Sequence, residues 1–253
     1  MYKYFIKSFI IVLACSSSLL AQESQESQQD STAIKQKYGL RFGVDVSKLV
    51  RSFIDDDYQG FEINADYRLT QRIYLAGELG NEERTLDNDV VNSTAKGSYF
   101  KAGVDFNMYR NWLDMENMIF AGFRVGASTF SQTLNSYSID NFFNQYFDEQ
   151  VTVNTPQEFD GLSAIWGELI LGIKAEVFNN LFMGLNVQFK ILVSETSPDL
   201  YENLYIPGFN RTFDSGRVGA GFGYNISYLI PIFKKDKPVK DNTEDIEEDT
   251  SDN

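Results

Sequence analysis

The chain has 253 residues, a formal charge of −14, no histidine and one cysteine. Without histidine the Ser/His/Asp and Cys/His mechanisms are excluded, and an acidic surface lacking a basic patch excludes nucleic acid as a partner. No run of eighteen apolar residues is present, which excludes a transmembrane helix but not strands that cross a bilayer by alternation.

In chain order, Lys3 and Lys7 precede an apolar stretch at 9–14 and the sequence Ser18-Leu19-Leu20-Ala21, the build of a secretory signal peptide over residues 1–21. Cys15 lies within it. Cleavage after Ala21 leaves a chain without a thiol, whereas Val12-Leu13-Ala14-Cys15 resembles a lipobox and would make Cys15 a lipidated first residue. Residues 22–37 are rich in Gln and Ser and too poor in apolar side chains to order themselves, which predicts a disordered periplasmic tail.

From Tyr38 onward, apolar residues recur at every second position, the period of a strand with two unlike faces. Tyr38, Leu40, Phe42, Val44 and Val46 alternate with Gly39, Arg41, Gly43, Asp45 and Ser47. Clear segments of the same kind follow at 61–69, 100–108, 183–191 and 218–228, and weaker ones at 73–80, 119–129 and 162–177, which makes eight strands. Short connections near 70–72, 110–117 and 178–180 alternate with long ones at 50–59, 81–97, 134–161 and 194–215. Antiparallel hairpins with tight turns on one side and long loops on the other have this arrangement, and an even strand number returns both termini to one side.

The third long connection carries Ile139, Phe142, Phe143, Tyr146 and Phe147 at helical spacing behind Ser138 as a cap. The fourth offers Ser197 as cap and Pro198 at the first helical position, with Leu200, Tyr201, Leu204 and Tyr205 following. Short helices are thus expected in loops 3 and 4.

A soluble lipocalin-like periplasmic binding barrel has the same period with its faces reversed, so the polar face has to decide the orientation. It carries Arg41, Arg68, Lys101, Arg124, Lys174, Lys190 and Arg217 against Asp45, Glu62, Asp66, Glu78, Asp105, Glu168 and Glu176, interspersed with glycines. Small residues beside balanced charges suit a crowded lumen in which buried charges are paired. The apolar face has no charge through the middle of any clear strand, and Tyr38, Tyr67, Tyr109, Phe178 and Tyr228 sit near strand ends, where an interfacial girdle belongs. Hydrocarbon outside and ion pairs inside is the expected arrangement.

The last strand, Gly221-Phe222-Gly223-Tyr224-Asn225-Ile226-Ser227-Tyr228, looks like the terminal-strand assembly signal of outer-membrane barrels, although 229–233 and an acidic tail follow the final aromatic. Residues 38–233 resemble the small outer-membrane barrels of Bacteroidota, particularly an uncharacterised family among them. That resemblance implies a fold and a location, with the outer-membrane bilayer and the barrel assembly machinery as partners, but no activity. The expected architecture is an all-β, eight-stranded antiparallel transmembrane up-and-down barrel over 38–233. A signal peptide (1–21) and a periplasmic tail (22–37) precede it and a disordered acidic tail (234–253) follows, with both termini periplasmic.

The loops hold most of the acidic excess. Phe142, Phe143, Tyr146, Phe147, Tyr201 and Tyr205 form a possible binding surface over the barrel mouth, or else pack on one another as a loop core. Asp55, Asp56 and Asp57 offer carboxylates to a hard cation, but they lack EF-hand spacing and read better as a solvated charge run. Gly219-Ala220-Gly221-Phe222-Gly223 sits inside a strand and is no phosphate loop. No catalytic residue, metal or cofactor is expected. The function expected is structural, adhesive or surface-binding, with a narrow porin-like channel as the alternative.

Overall fold

In the computed structural model, residues 35–109, 116–139, 151–198, 202–211 and 216–236 are described, all within the unit Ile34–Asn253. The alternating segments form antiparallel strands: β1 (Lys35–Asp45), β2 (Tyr58–Arg68), β3 (Ile73–Asp87), β4 (Val91–Asn107), β5 (Met118–Ile139), β6 (Val151–Val153), β7 (Gln157–Phe178), β8 (Leu181–Glu195) and β9 (Val218–Asp236). One helix, α1 (Val46–Ile54), follows β1. Eight strands close into a ring in the order β1-β2-β3-β4-β5-β7-β8-β9, because β9 pairs with β1 and β4 pairs with β5. The short β6 adds a ninth strand beside the far end of β5. Among the described residues no helix is long and apolar enough to cross a membrane.

Several connections differ from expectation. The second long connection is a hairpin: β3 and β4 extend their pairing to Asp87↔Asn92, and only residues 88–90 turn the chain, with Asn88 Oδ1 accepting from the N–H groups of Val90 and Val91. Connections therefore do not alternate strictly between short and long. Ser138, expected as a helix cap, lies in β5 with its hydroxyl 3.1 Å from that of Thr152. In the fourth loop, 196–198 and 202–211 are coil and turn with an isolated bridge at Arg211, so no helix forms in the described part of it.

The first connection supplies the helix that was not expected. Val46 and Ser47 continue the strand period, but the Asp45 carboxylate accepts from the N–H groups of Ser47 and Lys48, and this cap starts α1 in its place. Val46, Leu49, Val50, Phe53 and Ile54 then form a helical apolar stripe. No apolar residue of α1 is buried, and Phe53 is 87% exposed.

Because β1 stops at Asp45, its neighbours run on without it. Its pairing with β2 ends at Val44↔Ile63 and with β9 at Asp45↔Asn225, yet β2 begins at Tyr58 and β9 at Val218. The ring wall thus has a gap on this side, and α1 packs against both β2 and β9 there. Ser52 stands in for part of the missing strand, its hydroxyl accepting from the N–H of Gly60 at 2.8 Å.

The two faces of the ring differ in kind. Facing outward are exposed apolar side chains, among them Phe42, Ile63, Leu79, Phe100, Phe123, Ile165, Leu171, Val187 and Phe222. The outer face turns polar at Asn81, Ser98, Thr129 and Ser163, one step beyond the last apolar positions of β3, β4, β5 and β7. Inward positions hold the charged residues and two apolar clusters. Tyr74, Met118, Phe120 and Ile170 form one; Tyr99, Phe130, Leu162, Ala164, Trp166, Leu192, Ile206 and Phe209 form the other. Gly126 makes room for the second, since a methyl group on it would overlap the indole of Trp166.

Candidate functional site

Charged side chains at alternate inward positions meet across the ring and form one connected network. Near the end where β1 begins and β9 ends, Arg41 donates to Asp66 at 2.8 Å, and Asp66 also accepts from Lys174 at 2.8 Å. Lys174 lies 3.7 Å from Asp105, which accepts from Arg124 at 2.6 Å, and Arg124 lies 3.5 Å from Glu78. Glu78 in turn accepts from Lys101 at 2.6 Å. Lys101, with no exposed surface, is 3.3 Å from Glu62 and 3.9 Å from Glu168, and Glu168 is 3.9 Å from Lys190. Each buried charge in this low-polarity setting needs such partners, because an isolated one costs several kcal/mol.

Of the sequence candidates, thirteen occupy inward positions. Besides those above, Arg68 pairs with Glu116 at 2.5 Å and Glu176 with Lys37 at 3.2 Å near the end where β1 begins, while Asp45 is spent on capping α1. Arg217 is the exception. It is exposed and donates to the carbonyl of Val193 at 3.2 Å, because β9 begins one residue after it.

The mouth of the ring is held by residues that the loop assignment concealed. Glu82, placed by sequence in an acidic loop, is fully buried on β3 and pairs with Lys48 of α1; it accepts from Tyr58 at 3.0 Å, Tyr205 at 2.6 Å and the N–H of Gly208 at 2.8 Å. Glu82 lies beyond Asn81, where the outer face of β3 turns polar. Burial alone would raise the Glu82 carboxyl, but Lys48 and the three donors hold it well below its ordinary value. Lys48 is the converse case: burial opposes its charge, and Glu82 and Glu62 keep it above its usual value. Tyr205 is pushed up by burial and by Glu82, so it stays a hydrogen-bond donor.

Loop 4 closes the mouth. Ile206 and Phe209 are fully buried against Trp166 and Tyr99, with the Phe209 and Trp166 rings edge to face at 5.9 Å. Gly208 turns at φ +81° between them, where its carbonyl accepts from Lys190 at 2.8 Å. Tyr205 is therefore part of this plug and not an exposed binding residue. Phe142, Phe143, Tyr146, Phe147 and Tyr201 lie outside the described residues. Cavities of about 20 and about 10 Å³ remain between the inward side chains, each with room for about one water.

Asp55, Asp56 and Asp57 do not converge. Asp55 accepts from Arg51 at 3.2 Å and from the N–H of Asp57 at 3.3 Å, and among the described residues no three acidic, cysteine or histidine groups are placed to hold a metal. A larger cavity of about 610 Å³ lies at the wall gap, between α1 and β9, with Arg84 and the loop 4 residues Asn210 and Arg211 at its inner side.

Comparison with known proteins gives a family and a distant structural likeness. The model of the family described as "Domain of unknown function (DUF6048)" matches residues 1–235, so the chain belongs to that family. No curated protein matches. Among solved structures, the attachment invasion locus protein Ail of Yersinia pestis is similar at 9% identity with a TM-score of 0.37, over 76% of this chain and 97% of that one.

Proposed function

Starting from membership in a family without an assigned activity, we propose that this protein is a non-enzymatic, integral outer-membrane barrel. In this reading residues 1–21 are an export signal, cleaved after Ala21 or processed to a lipidated Cys15. The ring is inserted by the outer-membrane assembly machinery, and both termini, including the acidic tail, stay periplasmic. The α1, β3–β4, β5–β7 and loop 4 end then faces outward, and the acidic, aromatic loops there serve a structural, adhesive or surface-binding role.

One observation carries the proposal: the charged face of the ring is buried and the apolar face is exposed. A water-soluble barrel of this size would have to solvate dozens of exposed large apolar side chains, against the normal limit on apolar patches. On β7 the outward row Ile165, Gly167, Leu169, Leu171, Ile173, Ala175 and Val177 holds no charge. It spans roughly 40 Å along the strand and roughly 30 Å along the axis at a tilt of about 40°, the thickness of a hydrocarbon core.

The continuous ion-pair network and the loop 4 plug favour a closed barrel over a narrow solute channel. Purified protein in a planar bilayer is therefore expected to give no discrete current steps, together with β-rich circular dichroism and heat-modifiable migration on a gel. Reproducible single-channel steps would replace this reading with the channel.

A further inference from the structure

The cavity at the wall gap combines an apolar lateral face with cationic groups deeper in. Val46, Val50 and Ile54 of α1 face it from one side and Ala220 and Phe222 of β9 from the other, and Phe222 is also part of the exposed outer face. The gap therefore opens where a bilayer would meet the ring, and its apolar lining continues the outer apolar surface. At about 610 Å³ it falls in the range of sites for drug-sized ligands, about 300 to 1,000 Å³, which suits one acyl chain better than a two-chain lipid.

The inner side is basic. Arg51 lies with its guanidinium 4.1 Å from the Tyr58 ring centroid, and Arg84 lies 5.3 Å from that of Tyr205. Arg51 shares Asp55, Arg211 is held by Glu195 at 2.7 Å, and Lys48 by Glu82 and Glu62. The lining has four cationic residues and no carboxylate of its own; three of the four are paired with carboxylates outside it, and among the described residues no carboxylate lies within ion-pair distance of Arg84. Guanidinium binds a carboxylate in a planar, two-bonded fashion. The β9 edge is available as well: loop 4 covers it at Ala220, whose N–H donates to the Asn210 carbonyl, but the β1 pairing begins only at Asn225.

We propose that this cavity binds a long-chain carboxylate, a fatty acid, that enters sideways from the surrounding lipid. Its chain lies between the apolar side of α1 and Ala220 and Phe222, and its carboxylate reaches Arg84, with Arg51 beside it. This rests on the membrane reading above.

The test uses the full-length mature protein in nanodiscs, titrated with the fluorescent fatty acid cis-parinaric acid against empty nanodiscs, with palmitate and hexadecanol as competitors. Saturable binding is expected, displaced by palmitate at least tenfold better than by hexadecanol. Arg84→Gln should remove that preference while leaving hexadecanol competition unchanged, and Ala220→Trp, which fills the cavity, should abolish binding of the probe. Heat-modifiable migration of each variant reports that the ring is intact. If the protein enters nanodiscs but shows no saturable binding, or Ala220→Trp binds normally, the fatty-acid proposal fails and the membrane reading stands. Failure to enter nanodiscs at all overturns both.

Discussion

Lys101 is the residue on which the interior most depends. Its ammonium faces Glu62, Glu78 and Glu168 with no exposure to solvent. Lys101→Met would leave three buried carboxylates facing one another, and breaking a buried pair by removing one partner costs about 3–5 kcal/mol. Urea unfolding in lipid vesicles should show a loss of that size, whereas Lys96→Met, at an exposed position of the same strand, should change little. Glu82 adds a pH dependence of known sign. Its folded-state pKa is depressed by Lys48 and its hydrogen-bond donors, so its contribution to stability is fully present above the ordinary carboxylate range near pH 4.3 and is lost as pH falls. The stability difference between the parent and Glu82→Gln should accordingly be largest at pH 6–7 and shrink below about pH 4; an undiminished difference in acid would contradict the assignment. The inward charges were legible because a period of two sorts residues onto faces without knowledge of register. Glu82 and Lys48 were not. Glu82 keeps that period with Glu78 and Gly80, but a charge-rich stretch reads as a loop, and Lys48 reaches the network only through a turn of helix.

At the level of elements, the informative one is α1. Its apolar stripe at 46, 49, 50, 53 and 54 was present in the sequence, but its first residues also fit the end of the strand period, and a single side chain, the Asp45 cap, decides between the two. The same competition hid the β3–β4 hairpin. Polar residues on both faces of 81–97 suggest a loop, yet backbone pairing, with Thr85 and Thr94 hydroxyls 3.0 Å apart across the strands, extends the ladder. The aromatic spacing of loop 4 fits a helix, but Ile206 and Phe209 gain more by filling the ring's mouth beside Trp166. Ser52 ties α1 to the open edge of β2. Ser52→Ala should therefore raise the hydrogen-exchange rate of the Gly60 amide by tenfold or more without altering exchange in the β1–β9 seam. Equal exchange in both proteins would mean that α1 does not seal this edge.

For the whole molecule, closure of the ring and the sidedness of its faces follow from one pattern repeated eight times, which is why the architecture could be read from alternation while the connections could not. Among the described residues, closure leaves the ring strands without a long open edge except at the wall gap. In the membrane reading the exposed apolar face touches hydrocarbon, which spin labels can check when placed singly, in a chain lacking Cys15, at Phe123, Leu171 and Val187 on the outer face and at Ser98 beyond its apolar rows, with the protein in lipid vesicles. The labels at 123, 171 and 187 should be relaxed by oxygen and shielded from a water-soluble nickel complex, and the label at 98 should show the reverse. Nickel access at 123, 171 and 187 equal to that at 98, or a protein that stays folded and monomeric in water without any amphiphile, would contradict it.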